Sequence, residues 1–282
     1  MDEITLAHRD LLSSRFRGLN LKISEYNFSN LYLFRQLHQY RLWEHEDLLF
    51  VRGVTRGGKS FLLPTFPLAT LESNRLLSLI SGVDFFYPIP DEWSERLDPR
   101  LFKAEFVERD SDYLFTRLKM ATYPGRHLSP KRNLVKQFLT HYNSRIEPLT
   151  HANRSVALSV LEQWQQHQEL DQSKTDFSHC QEALGLMDPL QLSGSLFFAN
   201  DKPCAFVIGE KSDHECYIIH FAKALKEYKG IYQYLYQALA QSLDQEIEFI
   251  NLEQDLGSPQ VHQAKHSYHP DLMIRKWRVS PL

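Results

Sequence analysis

The segment FINLEQDLGSPQVHQAKHSYHPD, residues 249–271, gathers side chains that could move a proton or hold a substrate. An apolar run ends here in Asn251, Glu253 and Asp255. If the run is a strand, alternation sends Glu253 and Asp255 to the same face. The C-terminal ends of strands are where α/β folds bind ligands. Lys265 follows on the next helix, within reach as a counter-charge. Two carboxylates beside a lysine can orient a substrate ammonium or shift a proton. The plainer alternative is a helix-capping Asp255 and a structural ion pair. His262 and His266 are spaced i,i+4, but no glutamate follows His262 as it would on a zinc-protease helix, so no metal site is expected.

A second group is cationic. Between Tyr113 and Ile146 there is no Asp or Glu, while Arg117, Lys119, Arg126, Lys131, Arg132, Lys136 and Arg145 fall inside. Arg132 and Lys136 share a helix face. Gly125 and the Ser129-Pro130 helix start add backbone donors that suit a phosphate. The window reads as a surface for the phosphates of RNA, a coenzyme or a lipid head group, or simply as a solvated basic face. A third group is KEYKGIYQYL (226–235), where Gly230 stands at a strand-to-helix junction after Lys226 and Lys229. A donor's pyrophosphate could sit there, although a single glycine is a poor form of that signature.

A fourth stretch, GVTRGGKS (53–60), spells the phosphate-cradling loop of nucleotide hydrolases. Such a loop needs a helix after it, and Pro64 and Pro67 stand where its first turns would run. The expectation is a β-hairpin, strand 48–52 against strand 59–63, with Gly57 and Gly58 supplying positive φ.

The elements that must position these groups follow from periodicity. Helices are predicted over 28–39, within 70–81, over 130–142 with Ser129 as cap, and over 152–168, 176–185, 228–243 and 258–268. Short strands are predicted at 41–45, 48–52, 59–63 and 145–150. The stretch 102–115 reads as a strand giving way to a helix near Asp110. A hairpin at 194–212 turns on Asn200-Asp201, and further strands run at 215–224, 246–253 and 272–279. The second half thus has the element order of the GNAT acyltransferase fold. The expectation is an α+β protein of two tandem GNAT-like domains, 1–150 and 151–282, each a mixed, mostly antiparallel sheet flanked by helices.

The 282 residues are 43% hydrophobic and 24% charged, which fits a globular chain and excludes disorder. A net charge of −3 implies no global attraction to nucleic acid, so any such attraction must be local. No run approaches the roughly 20 apolar residues of a membrane span. The start MDEITLAHRDLL is acidic and lacks the basic-then-apolar pattern, so no signal peptide is expected. Three cysteines without a C-x-x-C pair suggest reduced thiols, and a cytoplasmic location is expected.

Three stretches together resemble one family. SEYNFSNLYLFR (24–35), GRHLSPKRNLVKQF (125–138) and NLEQDLGSPQVHQAKHSYHPDLM (251–273) are similar to the phosphatidylglycerol lysyltransferase C-terminal domain family, and most of all to its soluble bacterial branch. The matching positions are Lys131, Arg132 and Asn133, then Asn251, Glu253, Asp255 and Gly257, then Lys265, Tyr268 and Pro270. The resemblance implies a tandem GNAT-like fold that moves an amino acid from aminoacyl-tRNA to a lipid or small-molecule hydroxyl. No cofactor is implied, and coenzyme A is the less favoured donor. On this reading the basic window holds tRNA phosphates, with peripheral contact to anionic lipid as a further expectation. Lys265 is the electrophilic partner, and Glu253 or Asp255 holds an ammonium or accepts a proton. Gly230 and Arg126 complete the expected substrate contacts. The alternatives are a non-catalytic RNA- or lipid-binding protein and a coenzyme-A-dependent N-acetyltransferase.

Overall fold

The stretch that spells a phosphate loop folds as a hairpin. Leu48–Val54 pairs antiparallel with Ser60–Pro64, so that Phe50 faces Pro64 and Val54 faces Ser60. Of the two turn glycines only Gly58 needs a positive φ, at 80°. Pro64 sits at the end of its strand, where the missing N–H costs little.

The computed structural model describes residues 1–212 and 215–282. In chain order the elements begin β1 (Asp2–Glu3), α1 (Arg9–Arg17), α2 (Phe28–Leu33), β2 (Arg41–His45), β3 (Leu48–Val54), β4 (Ser60–Pro64), α3 (Ser73–Ile80), β5 (Phe85–Ile89), α4 (Asp91–Ser94) and β6 (Phe102–Phe106). There follow β7 (Asp112–Thr116), α5 (Arg117–Thr122), α6 (Ser129–His141), β8 (Ser144–Pro148), α7 (Arg154–Gln166), α8 (Phe177–Gly185), β9 (Ser193–Ala199), β10 (Lys202–Ser212) and β11 (Cys216–Ala224). The chain closes with α9 (Ile231–Ser242), β12 (Phe249–Asn251), α10 (Pro259–His266), β13 (Leu272–Ile274) and β14 (Trp277–Pro281).

The elements form two compact units, and these do not divide at residue 150. The first comprises 1–113, 254–264 and 273–282, and the second comprises 114–253 and 265–272. One seven-stranded sheet has the order β1-β2-β3-β4-β5-β14-β6. Only its β4–β5 pair is parallel among the registered pairs. Phe50, Phe61 and Phe86 are fully buried in the first unit. The other sheet has the order β13-β7-β12-β11-β10-β9-β8, with β11–β12 parallel. Its core includes Phe115, Phe197, Phe206 and Phe221. Both sheets are mixed, mostly antiparallel and flanked by helices.

Local chemistry explains the hairpins. Asn200 and Asp201 both take left-handed backbone, φ 50° and 61°, which is the two-residue turn that matches strand twist. Gly230, φ 91°, starts α9.

Three expectations are corrected. Residues 102–115 are strand, one 3-10 turn and strand, because the acids that look like a first helical turn are buried partners of cations. Asp110 binds Arg278 and Asp112 binds Lys276. The stretch 272–279 is two strands, β13 and β14, lying in different sheets, with buried Lys276 between them. Ser129 is not a cap: its hydroxyl donates to the Arg126 carbonyl at 2.7 Å, and Leu128 holds the cap position.

Candidate functional site

Asp255 lies in the short loop before α10 and is buried. The loop can turn because Gly257 takes φ 77°. The Gly257 N–H donates to Asp255 Oδ1 at 2.7 Å. The Tyr113 hydroxyl donates to Oδ2 at 2.6 Å, and His262 Nδ1 lies 2.8 Å from the same oxygen. Pro259 starts the helix that carries His262, so the imidazole arrives one turn in. Burial would raise the Asp255 carboxyl, but the hydrogen bonds from Tyr113, Gly257 and His262 hold it below its ordinary value. Burial and that carboxylate push the Tyr113 hydroxyl up, so it stays a donor. Asp255 and His262 line a cavity of about 530 Å³ with Glu108, Arg109 and Ser258. A carboxylate on Nδ1 fixes the imidazole tautomer and directs proton exchange to Nε2. Such a pair can serve as a general base.

The other two expected catalytic residues are engaged differently. Glu253 takes φ 56°, which breaks the alternation that would carry it to the face of Asp255. Its N–H donates to Oδ1 of buried Asn251 at 2.6 Å, so Asn251 shapes the strand end. Its carboxylate holds His220 Nδ1 at 2.8 Å, and Glu210 holds Nε2 at 2.9 Å. Burial would lower the pKa of His220, but the two carboxylates outweigh it and raise it to about 10. Glu253 therefore faces an imidazolium. Lys265 Nζ donates to the carbonyls of Leu252 and Glu253, at 2.6 and 3.1 Å, and so caps the end of β12.

The acid-free window is mostly spent on structure. Arg117 donates to the Ile247 carbonyl at 2.9 Å. Lys119 donates to the His269 carbonyl and pairs with Asp271 at 3.0 Å. Lys131 donates to the Ser267 hydroxyl at 2.6 Å and stands over the Tyr268 ring. Arg132 donates to the carbonyls of Tyr123 and Gly125. Arg145 pairs with Glu147. Arg126, Asn133 and Lys136 are exposed. Tyr268 is a core residue, packed on Phe115, Tyr123 and Tyr236. Gly230 is buried because α6 runs across it: a Cβ there would meet the Leu134 carbonyl oxygen at 2.2 Å. The glycine serves helix packing, and that helix start is covered.

The model of the family "Phosphatidylglycerol lysyltransferase, C-terminal" matches residues 16–280. The chain belongs to this family. A conserved protein of unknown function from Bacteroides thetaiotaomicron superposes with a TM-score of 0.87 at 23% identity, covering 100% of this chain and 99% of that one. The C-terminal domain of a putative lysylphosphatidylglycerol synthetase from Agrobacterium fabrum superposes at 0.61 with 13% identity, covering 98% and 92%. An uncharacterized protein of Mycoplasmoides gallisepticum is 27% identical over 180 residues, 61% of this chain. The match spans 56% of that relative's length. Family and fold support an aminoacyl- or acyltransferase related to the lysylphosphatidylglycerol synthase domain. No helix among the described residues is long and apolar enough to cross a membrane.

Within this family member, sequence reasoning singled out Asp255 but missed its partners. Tyr113 is 142 positions away. His262 stands seven residues on, and its spacing to Asp255 was the available signal. Glu210 and His220, ten residues apart across a hairpin, gave no signal at all.

Proposed function

We propose that this chain transfers an aminoacyl group from aminoacyl-tRNA to a hydroxyl of a lipid or small-molecule acceptor, in the cytoplasm. The observation that carries the reading is the Asp255–His262 pair, braced by Tyr113, on the wall of a cavity. The ester donor is already activated, so the protein need supply no nucleophile. The acceptor hydroxyl attacks the ester carbonyl and His262 takes its proton. The tetrahedral intermediate then expels the ribose oxygen, which recovers that proton. Exposed Arg126 and Lys136 are the cations offered to tRNA phosphates. A coenzyme A donor is disfavoured by the covered start of α9.

The test is incubation with a pool of radiolabelled aminoacyl-tRNAs, with membranes and small hydroxyl acceptors supplied separately. Asp255→Asn keeps the size of the side chain but cannot hold the imidazole as a carboxylate does. Turnover is expected to fall by about 10²- to 10⁴-fold in a variant that still folds. Full activity in Asp255→Asn would sink the proton-transfer role. Binding of charged tRNA with no transfer to any acceptor would favour a non-catalytic protein.

A further inference from the structure

Four strands stand at the edges of the two sheets among the described residues, β1 and β6 in the first, β13 and β8 in the second. The outer backbone of an edge strand is a template for another chain. Three of the four are poor templates. β1 is two residues long, and both are acids. β13 has three residues. In β8, Pro148 has no N–H, and its carbonyl accepts from Asn153 Nδ2 at 3.0 Å.

β6 is different. It runs antiparallel to β14, with Phe102 opposite Pro281 and Phe106 opposite Trp277. The Leu282 N–H donates to the Leu101 carbonyl at 3.1 Å. Counting from that bond, Lys103 and Glu105 turn their backbone groups toward β14, and Phe102, Ala104 and Phe106 turn theirs outward. Pro281 has no N–H to give and fits this register. The Phe102 N–H is taken by the Asp98 carbonyl at 3.0 Å. The Ala104 N–H and carbonyl, the Phe106 N–H and the Phe102 carbonyl face away from the sheet.

The side chains of β6 alternate between its two faces. Phe102, Ala104 and Phe106 share one face, where Val279 lies opposite Ala104. Phe102 and Val279 are in the core, but Ala104 is exposed and Phe106 is 38% exposed. The apolar face thus runs on past the point where the fold covers it. The other face carries Lys103 and Glu105, both exposed, which pair with each other at 2.5 Å.

We propose that β6 pairs antiparallel with β6 of a second copy of this chain, centred on Ala104. The sequence Phe-Lys-Ala-Glu-Phe is its own complement in that register. Phe102 meets Phe106 of the second copy, Lys103 meets Glu105, and Ala104 meets Ala104, each contact repeated by a two-fold axis. The Ala104 N–H donates to the Ala104 carbonyl across the axis, and the Phe106 N–H to the Phe102 carbonyl. A lysine on an edge strand ordinarily keeps copies apart. Here each lysine finds a glutamate, and the two ion pairs join into a network of four charges. A five-residue edge buries less than a standard interface of about 1,600 Å², so the association is weak and depends on concentration.

The test is sedimentation velocity of the full chain from about 10 μM to about 1 mM, the range of a small interface. A monomer–dimer equilibrium is expected. Ala104→Pro removes the outward N–H and no bond to β14, so the fold is expected to survive and the dimer to disappear. Lys103→Glu and Glu105→Lys each set like charges opposite one another, and each alone should weaken association by about tenfold. Mixed one to one, these two variants are complementary in the proposed register, and association should recover. A wild type that stays monomeric up to about 1 mM overturns the proposal. So does a folded Ala104→Pro that dimerises as well as wild type, or a mixture that associates no better than its components. If Ala104→Pro fails to fold, the mixture decides.

Discussion

Each unit buries a cation between two carboxylates, and the two clusters keep their protons in different places. In the first unit Lys276 Nζ lies 2.5 Å from Glu25 and 2.6 Å from Asp112, with Ser24 and Gln254 completing its shell. In the second unit His220 bridges Glu210 and Glu253. Burial, joined by the like charge of Asp112, pushes the Glu25 carboxyl up to about 7 against the pull of Lys276. The ammonium keeps its proton, so the excess negative charge is relieved on a carboxyl. In the second cluster the imidazole can give up its proton, and the carboxylates prevent it, moving its pKa to about 10. Composition is the same, two acids and one base, but the group that titrates is set by which base is present.

Removing the cation tests this most severely. Lys276 is fully buried, so Lys276→Met leaves Glu25 and Asp112 without their counter-charge. A loss of about 3–5 kcal/mol is expected in urea unfolding near neutral pH. The deficit should shrink as pH falls and the carboxyls protonate. Lys276 also holds Gln254, the neighbour of Asp255, at 2.7 Å, so the variant tests whether that loop depends on the cluster. An unchanged stability would mean that water reaches the cluster.

His220→Gln is expected to cost somewhat less, about 3 kcal/mol, because Glu210 and Glu253 keep 13% of their side-chain surface in solvent. Its signature is the pH profile. A base whose folded pKa is raised contributes stability that is fully present below its ordinary 6.5 and lost as pH rises through about 10. Wild type should therefore lose stability across that window, and His220→Gln should not. Parallel profiles for the two proteins would show that the imidazole is not charged.

The sequence made the elements legible where a local rule decides them. Asn200-Asp201 announces a hairpin turn and Gly230 a helix start, and both stand where periodicity put them. The division of the chain was not legible, because it depends on returns. Residues 254–264 and 273–282 rejoin the first unit, and nothing in their composition says so. The same limit hid the charged clusters. Lys276 and Glu25 are 251 positions apart, and each alone reads as an ordinary surface residue. Asp255 was legible because it ends an apolar run. Its role beside Glu253 was not, because one left-handed residue reverses the alternation.

The sharpest discrimination between the clusters comes from the same small change in each. Glu253→Gln keeps shape but replaces a charged partner of the His220 imidazolium, so a loss of about 2 kcal/mol is expected near neutral pH. Glu25→Gln should behave otherwise. A carboxyl whose folded pKa is raised contributes stability that is full below its ordinary 4.5 and lost as pH rises through about 7. Below that window Glu25 is neutral in both states, and glutamine imitates it. Above it, glutamine escapes the cost of a second buried negative charge beside Asp112. The expected change is thus close to zero at about pH 4 and a gain on the order of 1 kcal/mol at about pH 8. Urea unfolding at both pH values, on all three proteins, gives the comparison. A loss at about pH 8 in Glu25→Gln would mean that Lys276 needs both carboxylates ionised, and the two clusters would then be alike.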